Sequence, residues 1–164
     1  MDYIVQEFAK LDREKYFLII LGQFEEETVD VTSLASSLLQ KDDYIFNNVA
    51  LDKVSVYYKA ADYFVLASLW EGFGRVLLEA ASFGLPVLVH DYVIAREVLG
   101  EMGIYLDMNQ PGALAHKINS IDLAERQQQR SYQQIEYIRS RYSWEVVDTR
   151  YHELIAGMIN MPVT

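Results

Sequence analysis

Short apolar runs set between amphipathic stretches are the feature that most restricts how this chain can fold. Tyr16–Leu21 (YFLIIL), Tyr44–Phe46 (YIF), Tyr63–Ala67 (YFVLA) and Pro86–Val89 (PVLV) are rich in aromatic and branched side chains. They lack the polar alternation of a half-solvated strand, so they read as strands buried on both faces. Ile104–Leu106 reads as a further short strand. Between them Ile4–Leu11, Val31–Gln40, Lys53–Ala61, Arg75–Phe83 and Ile94–Leu99 carry apolar residues at helical spacing. Strand–helix alternation of this kind predicts an α/β doubly wound domain, a parallel sheet with helices on both faces.

From Pro111 the pattern changes. Pro111–Ile121 opens with proline at an expected first helical position. Leu123–Arg141 is polar and Gln-rich and reads as a surface helix. Ser143 is the expected N-cap of Trp144–Asn160, in which Val146, Val147, Tyr151, Leu154, Ile155 and Met158 share one face. The 164 residues suit a single domain, with an α/β core over 1–110 and C-terminal helices over 111–164.

Composition removes several classes of function. With no cysteine there is no disulfide, thiolate nucleophile or Cys-ligated metal. A net charge of −10 argues against general nucleic-acid binding, which needs clustered Lys and Arg. The opening MDYIVQEFAKLDREK has no basic start or apolar core of a signal peptide, and no apolar run approaches the ~20 residues of a membrane span. A cytoplasmic protein without a transmembrane segment is the expectation.

In an open parallel sheet ligands bind beyond the carboxyl ends of the strands. The residues there are Gly22-Gln23, Asn47-Asn48, Ser68 to Gly74, and His90-Asp91. The loop Ser68-Leu-Trp-Glu-Gly-Phe-Gly74 leads straight into the helix that starts at Arg75. Gly72 and Gly74 permit close backbone approach and positive φ. The N–H groups from Gly74 to Leu77 and the helix dipole favour an anion such as phosphate, although the two glycines serve a plain strand–helix turn equally well. Glu71 lies in the loop, and Glu79 lies about 7.5 Å along the helix from Gly74. Glu79 is flanked by Val76, Leu77, Leu78, Ala80, Ala81 and Phe83, so it is expected in a largely buried setting, where a carboxylate needs partners. Vicinal ribose hydroxyls would satisfy it, and so would an i,i+4 ion pair with Arg75. His90, His116 and His152 lack metal-ligand spacing, and His90 reads as either pocket-lining or structural. Ser68 is not in a nucleophile elbow, no P-loop is present, and Glu25-Glu26-Glu27 reads as a solvated loop run.

Ala61-Asp-Tyr-Phe-Val-Leu-Ala-Ser68, Glu71-Gly-Phe-Gly74, Leu78-Glu79-Ala80, Gly84-Leu-Pro-Val87 and Arg96-Glu97-Val98 together resemble the C-terminal, nucleotide-sugar-binding half of family 4 retaining glycosyltransferases, which have the GT-B fold. Tyr142-Ser-Trp144 and the helix after it are similar to that family's closing helix. The resemblance implies a Rossmann-like sheet. It implies that Glu79 holds the ribose of a UDP- or GDP-sugar, that Glu71 is the catalytic-site carboxylate against the transferred sugar, and that Gly72, Phe73, Gly74, Arg75, Val76 and Leu77 meet sugar and diphosphate. Asn48 would lie near the base. It implies no bound metal and no cofactor beyond the nucleotide-sugar substrate. Against the family pattern, the chain is expected to lack the first strand of this half, the Arg and Lys that follow it, and the acceptor domain. That strand would lie between Tyr16–Leu21 and Tyr63–Ala67, so a partner chain supplying it, or a homo-oligomer, is expected. The alternatives are a non-catalytic nucleotide-binding or scaffold module, and a nucleotide-sugar epimerase-like protein.

Overall fold

The computed structural model describes residues 1–22, 26–121 and 129–159. The helices are α1 (Asp2–Phe8), α2 (Glu26–Leu38), α3 (Val54–Ala60), α4 (Arg75–Ser82), α5 (Val93–Leu99), α6 (Ala113–Ser120), α7 (Gln129–Tyr142) and α8 (Trp144–Ile159). The strands are β1 (Leu18–Leu21), β2 (Tyr44–Asn47), β3 (Phe64–Leu66), β4 (Val87–His90) and β5 (Ile104–Leu106). All pairings are parallel, and the expected α/β class with helices on both faces is the one observed. The strands form two ladders, β1–β2 and β3–β4–β5. In register, Leu18 faces Tyr44 in the first ladder, and Phe64 faces Val87 and Leu88 faces Ile104 in the second.

The second ladder is covered on both sides. Val87 and Val89 of β4 point into a cluster with Leu77, Ala81, Leu99 and Ile138. Leu88, between them, points the other way, onto Ile104, Met108, Leu114 and Ile118. The first ladder is covered on one side only: Ile20 packs on Val5, Val31 and Ala35, while Ile19 and Ile45 stay 37% and 40% exposed. The expectation that every strand is buried on both faces therefore holds for β4 and fails for β1 and β2. Alternation sends Ile19 and Ile45 to the face opposite Ile20, where both stay partly exposed.

Several boundaries differ for local reasons. α1 starts and stops earlier than Ile4–Leu11, since the backbone closes in turns at Lys10 and Leu11. α2 begins at Glu26, so Glu26 and Glu27 belong to a helix and not to a loop run; Glu25 lies outside the described residues. Of Lys53–Ala61, Val54–Ala60 forms α3, and Lys53 ends a preceding 3₁₀ turn, Leu51–Lys53. Pro111 stands outside α6, which starts after Gly112 in a left-handed conformation with φ 90°. The first part of Leu123–Arg141, up to residue 128, lies outside the described residues.

The remainder of that stretch, α7, is no mere surface helix. It covers α4, with Gln134 and Ile138 buried. The Gln134 amide donates to the carbonyls of Ala81 in α4 (3.3 Å) and of Leu85, three residues past its end (2.7 Å). Gly84 makes this approach possible: with φ 75° it closes α4, and a β-carbon there would stand 3.0 Å from Ser131. In α8 the Ser143 carbonyl accepts the Val147 N–H at 3.0 Å. On the apolar face of α8, Tyr151, Leu154, Ile155 and Met158 are exposed among the described residues.

Candidate functional site

The loop after β3 and the start of α4 hold most of the residues singled out from sequence. Gly74 is the N-cap of α4 with φ 69° and ψ 52°, the left-handed region that favours glycine. Its turn aims the first amides of α4 out of the helix. The Leu77 N–H donates to the Gly74 carbonyl at 2.8 Å. The N–H groups of Arg75 and Val76, in the first turn, have no acceptor among the described residues. Leu77 itself is fully buried beneath the site, whereas Gly72, Phe73, Arg75 and Val76 are exposed and Glu71 is half-buried. Phe73 meets the ring of Tyr142 edge-on at 6.2 Å, so the end of α7 flanks the loop.

Glu79 is exposed, contrary to the buried setting expected for it. The apolar residues of α4 do not surround it: Leu77, Ala80 and Ala81 are buried, and Glu79 looks out between α3 and α7. No ion pair joins it to Arg75, which stands one turn away. The Tyr58 hydroxyl donates to Glu79 Oε2 at 3.1 Å instead. Tyr58 is fixed by a stacked contact with Phe83 (5.4 Å) and a tilted one with Phe64 (5.8 Å). Burial, then the charge of Glu79 and its hydrogen bond, push the Tyr58 phenol well above its ordinary value, so it stays a donor. Glu79 keeps the rest of its acceptor capacity, since each carboxylate oxygen has two lone-pair directions. It opens onto a groove of about 420 Å³ lined by Leu78, Ser82, Ile138, Arg139 and Tyr142.

The other strand ends contribute unequally. The Asn47 side-chain amide donates to the Tyr57 hydroxyl at 2.7 Å, tying the end of β2 to α3. Asn48 is exposed, and the structure does not bring it into contact with Glu71 or Glu79. His90 Nδ1 accepts the Met108 N–H at 3.1 Å, which places the proton of the neutral ring on Nε2, and the ring stacks on Tyr92. Asp91 takes a two-pronged hydrogen bond from Arg96 (2.5 and 2.6 Å), which holds its carboxyl below the usual range. Among the described residues no group of three or more His, Cys, Asp or Glu side chains gathers to hold a metal ion. Among them, too, no helix is long and apolar enough to cross a membrane. The residues that sequence reasoning missed are the tyrosines, Tyr58 and Tyr92; the one available signal was the number of tyrosines, 12, in so short a chain.

Residues 1–140 match the family described as Glycosyl transferases group 1. The chain belongs to this family. Group 1 glycosyltransferases similar to it include the O-antigen chain mannosyltransferase B of Escherichia coli, 35% identical over 99 residues, which are 57% of this chain and 24% of that protein. The serotype-specific mannosyltransferase WbdA of Escherichia coli is 30% identical over 118 residues, 68% of this chain and 14% of that protein. The chain thus spans a quarter or less of the length of these curated relatives. Among solved structures, Anabaena Alr3699/HepE in complex with UDP-glucose aligns with a TM-score of 0.84 and 19% identity, over 94% of this chain and 44% of that one. Sucrose-phosphate synthase from Thermosynechococcus elongatus aligns with a TM-score of 0.84 and 22% identity, over 96% and 42%. At these identities the likeness shows the fold, that of a GT-B glycosyltransferase domain.

Proposed function

We propose that this chain is the donor-binding unit of a glycosyltransferase that takes a sugar from UDP or GDP and transfers it with retention of configuration. The observation that supports this most is the geometry around Gly74. Its left-handed turn presents the open amides of Arg75 and Val76 beside the half-buried Glu71, with Glu79 exposed further along the same helix. Open amides and the helix dipole suit a diphosphate. Glu79 accepts from the ribose hydroxyls, and Tyr58 holds the carboxylate in place for them. Glu71 binds hydroxyls of the transferred sugar and stabilises positive charge developing at its anomeric carbon. The leaving diphosphate is neutralised by these amides without a bound metal. A related fold holding UDP-glucose, in Alr3699/HepE, is consistent with this reading. Turnover needs an acceptor-binding region, contributed by further chain, a partner or a second copy. The outer edges of β1 and β3, unpaired among the described residues, and the exposed apolar side chains of α8 support such a contact.

Glu79→Gln tests the reading, because glutamine keeps an acceptor for Tyr58 but loses the charge. Loss of charged hydrogen bonds worth about 1.5–3 kcal/mol should weaken nucleotide binding by roughly ten- to a hundredfold, with the melting temperature unchanged. Unchanged affinity together with lower stability would make Glu79 a structural residue.

A further inference from the structure

Among the described residues one side-chain polar atom is buried without a hydrogen-bond partner, the hydroxyl of Tyr92. Tyr92 follows the carboxyl end of β4 and is the N-cap of α5, in extended backbone with φ −141° and ψ 159°. Its ring has little freedom. It stacks on His90 with centroids 6.4 Å apart and planes at 23°, and His90 is itself pinned by the Met108 N–H. The hydroxyl ends against Gly74: a β-carbon at that position would lie 3.7 Å from it. Burial, followed by the charge of Glu71, raises the Tyr92 phenol above its ordinary value, so the group remains an O–H donor.

A residue kept only to fill this space needs no hydroxyl. Phenylalanine has the same ring, and a buried hydroxyl without a partner is a cost that folded proteins rarely tolerate. The orphan donor instead lies against Gly74, within reach of the charge of Glu71. The loop leading to Gly74 presents Trp70 and Phe73 to solvent, 82% and 49% exposed. A group seated between a phenol that donates and a carboxylate that only accepts must both accept and donate. A sugar hydroxyl does this, whereas a phosphate oxygen would only accept and would be repelled by Glu71.

We propose that Tyr92 is a further sugar-binding residue, its hydroxyl donating to a hydroxyl of the transferred sugar that in turn donates to Glu71. This rests on the donor-site reading above. Tyr92 would then distinguish the sugar nucleotide from the bare nucleotide, which Glu79 and the α4 amides hold without it.

The test is Tyr92→Phe, with affinities measured by amide NMR titration against UDP-glucose, GDP-mannose, UDP and GDP, and with thermal melts of the unliganded proteins. The expected result is a five- to tenfold loss of affinity for whichever sugar nucleotide binds, no change for its free diphosphate, and a melting temperature equal to or above that of the wild type. Non-additive losses in Tyr92→Phe, Glu71→Gln and the double variant would place both groups on one sugar hydroxyl. Equal affinity of wild type and variant for the sugar nucleotide would overturn the role of Tyr92 and leave the donor site standing. A drop in melting temperature without a selective loss would make the hydroxyl structural and also overturn it. Failure of the wild type to bind any of the four would end both readings together.

Discussion

Strands β4 and β1 are about equally apolar in sequence, yet the fold treats them differently. In β4, Val87 and Val89 enter one cluster and Leu88 the opposite one, so no side of the strand meets water. In β1 only Ile20 is fully enclosed, and Ile19, beside Ile45 in register, lies on a partly open face. An apolar run states what a strand requires, and the elements packed around it decide whether the requirement is met. The candidate site lies on the completed ladder, in the loop after β3 and the residues after β4. A rigid scaffold under a binding loop holds its groups in place, which a half-covered ladder does less well.

The largest expected effect breaks this comparison at its centre. Leu77→Ala empties a fully enclosed position beneath the loop and should cost about 3–5 kcal/mol in urea denaturation. Ile45→Ala, on the open face, should cost less than about 1 kcal/mol. Equal losses would mean that the two ladders are equally enclosed in solution.

A smaller effect concerns the joint between the halves. Glu7 of α1 is almost fully buried, pairs with Lys10, and accepts the N–H groups of Gly112 (2.6 Å) and Ala115 (3.1 Å) at the start of α6. Burial alone would raise its carboxyl, but the Lys10 and amide hydrogen bonds together outweigh that and leave it lowered. A lowered folded pKa contributes stability that is complete above the unfolded value, about 4.3, and is lost as pH falls through the folded value. Acid should therefore loosen α1 and its ladder from α6. Glu7→Gln should flatten this acid limb of a stability–pH curve; a curve identical to wild type would remove Glu7 from the joint.

The smallest effect is alkaline and lies within the completed half. Tyr105 on β5 donates to the Gly100 carbonyl at 2.5 Å, and burial pushes its phenol up to about 12. The neutral form is favoured by folding, so stability is full below the ordinary value of about 10 and declines as pH rises from there through about 12. Tyr105→Phe should cost about 1 kcal/mol at neutral pH and shallow that decline. An unchanged alkaline limb would assign the decline to other groups.

Much of this organisation was readable in the residues. The five apolar runs correspond to five parallel strands, and Glu71, the two glycines and Glu79 point to the loop and helix of the candidate site. What escaped was information held between elements. Helical spacing alone made α4 look apolar all round, but Glu79 emerges between α3 and α7, and only the packed structure shows Tyr58 beside it. Gln134 looked like one polar residue in a Gln-rich surface helix, yet it is buried and ties α7 to the carbonyls of Ala81 and Leu85. Tyr92 carried no motif, and its meaning rests on lying against Gly74.

The central claim, that a donor site survives in this chain, is tested most directly by titrating the ¹⁵N-labelled protein with UDP, GDP and their sugars. Saturable shifts confined to Glu71–Glu79 and their neighbours at Tyr58 and Tyr92 are the predicted result. The absence of any shift at millimolar nucleotide would contradict the account and leave a glycosyltransferase fold without a working donor site.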